Sequence, residues 1–314
     1  MARLSIIIPV WGSLKRLEDT LISVLENQPH ESEIIVVLDK AYDDPYGLKD
    51  EICFVQATAN AGLATSINLG IEASRAPIVH VLACGVQVKE GWTDAAMAHF
   101  ADPWVAAVAP LVVEIKNPER VVSAGLTYQR GGRLRILGEG RPVAKVVNRR
   151  AAVLGPHTSA AFYRKSALEM AGRFPSIAGD GLAGLDVALR LAYIGFRTVL
   201  EPRCILYADP PDRLRGSALR RALPAERHFW RWAPGFGWLT SLPLHALTVA
   251  AEFLRTLPSP AALGQLAGRM LGTCYFASGR RHYQGLRRLR EVARASIAPA
   301  GGRRGRVPAA KVAA

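Results

Sequence analysis

The sequence predicts an α/β fold: a sheet flanked by helices, then a helical and basic C-terminal appendage. Three observations carry this. Short β-branched and apolar runs alternate with helix-like segments through the first 200 residues. One run, Ile78-Val79-His80-Val81-Leu82-Ala83-Cys84-Gly85-Val86-Gln87-Val88, has the mostly apolar character of a buried central strand. Charge is divided unevenly: of a formal net +14, residues 213–314 hold 18 Lys and Arg against 3 Asp and Glu, whereas the first 212 residues are near neutral. At 314 residues and 50% hydrophobic composition, the chain can bury a substantial core, which excludes a wholly disordered protein.

Residues 4–10 read as the first strand, ending in Pro9-Val10-Trp11-Gly12. Ser13 can cap a helix to about residue 27, with Leu14, Leu17, Leu21, Val24 and Leu25 along one face. Residues 33–38 form a second strand ending at Asp39, the polar loop 40–47 follows, and a third strand lies near 52–56. Asn60-Ala61-Gly62 turns the chain into a helix over 63–74, and the central run follows. This order gives one sheet with right-handed crossovers and its polar turns along one edge. A helix is expected over 92–100 and a strand over 105–113. Residues 114–150, rich in Gly, Arg and Pro, read as a hairpin or mobile loop. A strand over 159–163, helices over 165–172 and 184–193, and a strand over 197–200 ending at Glu201-Pro202 complete the body. Residues 236–254 and 261–276 are apolar helical segments. The organisation is a domain over 1–212, a basic amphipathic helical region over 213–298 and a disordered basic tail over 299–314.

Cys53, Cys84, Cys204 and Cys274 have no paired spacing, so neither a disulfide framework nor a zinc site is expected, and a reducing cytoplasm is the simpler setting. The apolar run at the N-terminus is broken early by Pro9 and reads as a strand, not a signal peptide. Residues 227–238 interleave Arg227, Arg231, Phe229, Trp230, Trp232 and Trp238 ahead of an apolar helix, which suits an anionic membrane interface. Pro243, His245 and Glu252 make spanning costly, so an in-plane amphipathic pair is expected, with a subdomain packed on the sheet as the alternative. The arginines match no nucleic-acid-binding motif, and nucleic acid is not expected as a partner.

Four segments, in order over about residues 4–208, resemble the family 2 glycosyltransferases of the GT-A fold. These are Ser5-Ile6-Ile7-Ile8-Pro9-Val10-Trp11; Ile34-Ile35-Val36-Val37-Leu38-Asp39 followed by Asp44; Asn60-Ala61-Gly62 with Asn68 and Gly70; and Asp186-Val187-Ala188-Leu189-Arg190 with Gly195 and Pro202. The resemblance implies a Rossmann-like mixed sheet, a nucleotide-sugar donor, and a nucleotide site at Pro9, Val10, Trp11, Asp39, Asp44, Asn60, Gly62 and Asn68. The residue chemistry agrees: a strand-end carboxylate can accept from a base N–H or ribose hydroxyls, and a glycine-opened helix offers free N–H groups to anions.

The chain departs from the family's pattern at its metal and base. The family's Asp-x-Asp falls on Ala83 and Gly85, with Cys84 between them, and magnesium or manganese wants hard oxygen ligands. The family's acidic pair falls on Ala183 and Gly184, leaving Asp186 and Asp180 as candidate catalytic carboxylates. Leu206-Tyr207-Ala208-Asp209 lacks the histidine that often completes the metal site. No metal cofactor is therefore expected, and a cation must come from arginine, with candidates Arg133, Arg135, Arg141, Arg149, Arg150, Arg213, Arg215, Arg220 and Arg221. His157 is a further candidate to face the pocket. Three readings stand: transfer of a sugar from a nucleotide-sugar to an envelope or polysaccharide acceptor, by a cytoplasmic protein peripheral on the inner face of the plasma membrane; a catalytically degenerate relative that binds a nucleotide, glycan or partner; or a basic membrane- or nucleic-acid-binding protein.

Overall fold

A computed structural model describes residues 2–10, 14–147, 152–179, 181–210, 217–275, 282 and 284–292. Two compact units divide the chain. The first comprises Met1–Leu126, Ile136–Ala192 and Phe196–Pro211; the second comprises Thr127–Arg135, Tyr193–Gly195 and Asp212–Ala314.

The elements up to residue 208 are, in order, β1 (Leu4–Pro9), α1 (Leu14–Glu26), β2 (Ser32–Leu38), β3 (Ile52–Gln56), α2 (Leu63–Ala73), β4 (Ile78–Leu82), β5 (Val86–Gln87), α3 (Asp94–Ala98), β6 (Val105–Glu114), β7 (Val121–Ser123), β8 (Leu126–Tyr128), β9 (Leu134–Ile136), α4 (Val143–Val147), β10 (Ala160–Arg164), α5 (Lys165–Met170), α6 (Ala183–Ile194) and β11 (Arg197–Ala208). The sheet runs β3-β2-β1-β4-β10-β6-β11-β5, with β7 added to β6. Strands β3, β2, β1 and β4 are parallel; β10 is antiparallel to both neighbours; β11 returns parallel to β6. This is the mixed, helix-flanked α/β sheet expected.

Burial explains the order. Every residue of β1 and β4 is buried, as strands covered on both faces must be. Leu17, Leu21 and Val24 of α1 pack against Ile6, Ile8 and Val36 of the sheet. On the α2 side, a Cβ at Gly70 would stand 2.3 Å from Ile7 Cγ2, so the helix seats on β1 because position 70 has no side chain. His80 is fully enclosed on β4, with its ring 3.8 Å from that of Phe162 and 5.0 Å from that of Trp92. Burial pushes its pKa down to about 3, against a smaller opposing effect of the Ala161 backbone.

Two expectations are corrected, and the hairpin expected within 114–150 is present as the β8–β9 pair. The run 78–88 is not one strand: β4 stops at Leu82, Gly85 turns with φ 90°, and β5 pairs with β11 at the far edge of the sheet. Hydropathy alone cannot register a glycine turn inside an apolar stretch. Residues 114–147 hold β7, β8, β9 and α4, and Gly125, Gly132, Gly138 and Gly140 take the positive φ angles of their turns. Strand β11 does not end at Pro202 but continues to Ala208, because a register shift between Glu201 and Ile205 absorbs the proline.

The second unit contributes α7 (Ala218–Phe236), α8 (Trp238–Thr256) and α9 (Ala261–Thr273). Ser217 caps α7 by accepting from Arg220 N–H, and the helix persists through Pro224 and Pro234. At the centre of the unit, Glu226 accepts from His245 Nε2 at 3.1 Å, Arg269 Nη1 at 3.0 Å and Trp230 Nε1 at 2.7 Å. Arg269 also reaches Glu252, at 2.6 Å. His245 Nδ1 bonds the Gly131 carbonyl at 2.8 Å and stacks on Phe229 at 3.5 Å. Burial alone would raise the Glu226 pKa, but bonds and charges from His245 and Arg269 outweigh it and hold the carboxylate ionised. Among the described residues, no helix is long and apolar enough to cross a membrane. The expected tail, 299–314, lies outside the described residues.

Candidate active site at the carboxyl edge of the sheet

Because β1, β2, β3 and β4 are parallel, their carboxyl ends share one edge, where ligands of such sheets bind. Val10 N–H donates to the Val37 carbonyl at 2.8 Å, and the Cys84 thiol approaches the Pro9 carbonyl at 3.5 Å. These bonds tie the ends of β1, β2 and β4 together. Asp39 follows β2 directly and is half-buried. Asp44, at φ 47°, accepts the Leu48 N–H at 2.9 Å and so shapes the loop beside it. Tyr42 packs its ring 5.7 Å from Phe54. Burial, then the charges of Glu18 and Asp44, raise its phenol pKa. Asn60, at φ 60°, turns the chain after β3, and Gly62 opens α2 with no side-chain cap.

Asn68 has a different task from its neighbours. Its amide donates to the Phe174 carbonyl at 2.8 Å and accepts the Phe174 N–H at 3.0 Å, clamping that segment to α2. Trp11 and Asp180 lie outside the described residues.

The end of β4 is fully committed to other elements. Ala83 N–H donates to Ser159 O at 2.8 Å, and Gly85 N–H meets Thr20 Oγ1 at 2.8 Å and Arg16 O at 3.1 Å. A Cβ at Gly85 would lie 3.5 Å from Arg16 Cδ, so the aliphatic stem of Arg16 runs past the strand end while the residue stays exposed. The divalent metal of the GT-A fold therefore finds a thiol, a methyl and a glycine here, not hard oxygen ligands, and the residues present do not fit it. Among the described residues, no group of three or more His, Cys, Asp or Glu could hold a metal ion. Position 184 is equally constrained, since a Cβ there would stand 2.3 Å from Thr158 Cγ2.

Antiparallel β10 brings its amino end to the same edge, with Ala160 opposite Leu82. His157 sits in the turn before it. Its Nδ1 lies 2.7 Å from Ser159 Oγ and accepts the Ser159 N–H at 3.3 Å, which leaves the proton of a neutral ring on Nε2. The ring keeps partial contact with solvent, yet the crowding of burial pushes its pKa down to about 4, opposed by the charge of Glu139. Asp186 is fully enclosed on α6 and pairs with Arg190 at 2.6 Å. Arg190 in turn donates to the Ala171 carbonyl at 2.9 Å.

Of the cation candidates, Arg141 is exposed in the first unit. Arg133, Arg135, Arg220 and Arg221 belong to the second unit. Arg149, Arg150, Arg213 and Arg215 lie outside the described residues. Sequence reasoning missed Arg16, whose only signal is its place on a helix that packs under β4.

A mixed sheet whose parallel half ends in an acidic loop and a glycine-opened helix defines the GT-A-like glycosyltransferase fold. The profile described as Glycosyl transferase family 2 matches residues 5–170, and the chain belongs to that family. The Pre-mycofactocin glycosyltransferases of Mycobacterium tuberculosis strains CDC 1551 and H37Rv are 28% identical over 187 residues, covering 57% of this chain and 37% of each relative. The chain thus spans well under half the length of those relatives. Two solved structures share the fold. The mannosyltransferase PcManGT from Pyrobaculum calidifontis, in complex with GDP-Man and Mn2+, is 18% identical with a TM-score of 0.52, over 94% of this chain and 86% of that one. GalNAc-T7 with UDP, GalNAc and Mn2+ is 14% identical with a TM-score of 0.55, over 73% and 47%.

Proposed function

We propose that the protein transfers a sugar from a nucleoside-diphosphate sugar to an envelope or polysaccharide acceptor, without a divalent metal at the end of β4. The observation that carries this reading is the setting of Ala83-Cys84-Gly85. Its N–H groups at Ala83 and Gly85 are spent on Ser159 and on α1, and Arg16 passes beside the glycine. In such a reaction an acceptor hydroxyl attacks the anomeric carbon, the bond from that carbon to the diphosphate breaks, and the hydroxyl proton passes to a base. The departing diphosphate gains negative charge, which a guanidinium can stabilise in place of a metal. Asp39 and the loop held by Asp44 would receive the nucleoside, and the opening of α2 at Gly62 would face the phosphates. Asp180 and Asp186 are the carboxylates nearest the family's base position in sequence. The ligands of the two solved structures, GDP-Man in one and UDP with GalNAc in the other, support a nucleotide donor.

A second reading is favoured by Gly184, where any side chain would have to displace the Thr158 methyl: a scaffold that binds nucleotide or glycan without turnover. Calorimetric titration with UDP- and GDP-sugars, with manganese or with chelator, separates the cases. The transfer reading expects binding indifferent to chelator and about tenfold weaker in Arg16→Ala, equivalent to ~1.4 kcal/mol. Manganese-dependent binding would sink the metal-free reading, and absence of nucleotide binding would remove the donor altogether. Hydrolysis or transfer measured on a binding-competent preparation then distinguishes enzyme from scaffold.

A further inference from the structure

We infer that the outer faces of α8 and α9 form a docking surface for an anionic lipid bilayer. The two helices are amphipathic in the inverted sense. Leu239, Leu247 and Leu254 of α8, with Leu263, Met270 and Leu271 of α9, are between 54% and 94% exposed. On each helix they recur seven or eight residues apart, about two helical turns, and so share a single face. The opposite faces are buried and carry polar groups: Ser241 and His245 on α8 and, among the small residues Ala262, Gly268 and Gly272 of α9, Arg269; His245 and Arg269 are bonded to Glu226. Helices that meet water on the outside place these classes the other way round. Polar pairs held inside and leucines outside are the arrangement of a surface covered by hydrocarbon.

Charge selects the occupant. Residues 213–314 contain three acids, and two of them, Glu226 and Glu252, are turned into the unit and bonded to Arg269. Exposed Arg255 stands at the end of α8 itself, and elsewhere in the same unit the exposed Arg287 and Arg288 face only one exposed acid, Glu291, an excess of cations complementary to anionic headgroups. A second copy of this chain would bring the same excess of cations to the interface and be repelled. Since no described helix is long and apolar enough to cross, α8 and α9 lie in the plane of the interface.

Flotation of the full chain with vesicles tests this, using phosphatidylcholine alone or mixed with phosphatidylglycerol. Binding is expected to the anionic vesicles and to weaken with salt. It should fall about tenfold or more in the double variant Leu247→Ser/Leu254→Ser and in the independent double variant Leu263→Ser/Met270→Ser, neither of which changes the net charge. Both variants keep every cation of the chain, so their loss of binding separates insertion from charge attraction. Circular dichroism and an unchanged nucleotide titration show that they fold and that the donor site is a separate matter. Wild-type binding by both variants, or no binding to anionic vesicles, overturns the inference. So does sedimentation equilibrium showing a dimer that the same variants dissociate while vesicle binding stays absent.

Discussion

A methyl group at position 184 would stand 2.3 Å from Thr158 Cγ2, and that distance governs what the site can hold. The family pattern invites Gly184→Asp as a repair, but packing forbids it: the substitution should destabilise the fold by about 1–3 kcal/mol and restore no activity, as thermal unfolding and a transfer assay would show. Gly85 is constrained differently, by a φ of 90° and by the stem of Arg16. Asp39 is the complementary case. It is half-buried at a strand end, so Asp39→Ala should cost nucleotide affinity about tenfold or more while leaving the melting temperature within a degree or two. Calorimetry beside a melt distinguishes a binding residue from a structural one. Asp39 was legible in the sequence because a strand-end carboxylate marks itself; Arg16 was not, because it meets Gly85 through helix packing across 69 positions.

At the scale of elements, β4 carries a titratable group into the apolar core. His80 has its pKa lowered to about 3, whereas the unfolded chain protonates near 6.5. Between those values the unfolded state binds the extra proton, so stability is highest above about pH 6.5 and falls as the pH drops toward 3. Chemical denaturation measured across that range should show the slope, and His80→Leu should flatten it. Strand β11 adds a second acid-sensitive point. Glu201 sits at the bulge with His99 Nε2 at 2.8 Å and Arg203 Nε at 3.1 Å. Burial alone would raise its pKa; bonds from the Arg203 side chain and backbone and from His99 outweigh that and bring it to about 2. Its contribution is complete above about pH 4.3 and is lost as the pH falls through 2.

For the whole molecule, two units are held by different physics. The first is an apolar sheet core covered by helices. The second is organised by the buried set Glu226, His245 and Arg269, with the partly exposed Glu252 bonded to Arg269. Breaking a buried charged cluster by removing one member leaves the others unpaired, so Glu226→Ala should destabilise the helical unit by about 3–5 kcal/mol. Hydrogen exchange would report that loss in α7, α8 and α9 with protection of β1 and β4 unchanged; equal loss in both units would show that they unfold as one. The folded Glu226 pKa is depressed, so the cluster's contribution is fully present above about pH 4.3 and is lost as the pH falls through the folded value.

The order of strands and helices through residue 73 was determined by the sequence alone, because a period of two or 3.6 in a chain this apolar admits few other placements. So were the family and the missing carboxylates at Ala83, Gly85 and Gly184, which are matters of residue identity. Tertiary structure decided the rest. It broke the run at Gly85, carried β11 through Pro202, and spent Asn68 on Phe174. It also set Arg16 beside the strand end and turned the polar face of α8 inward. Each of these depends on what lies across a packing interface from distant parts of the chain, and no local pattern of hydropathy contains that information.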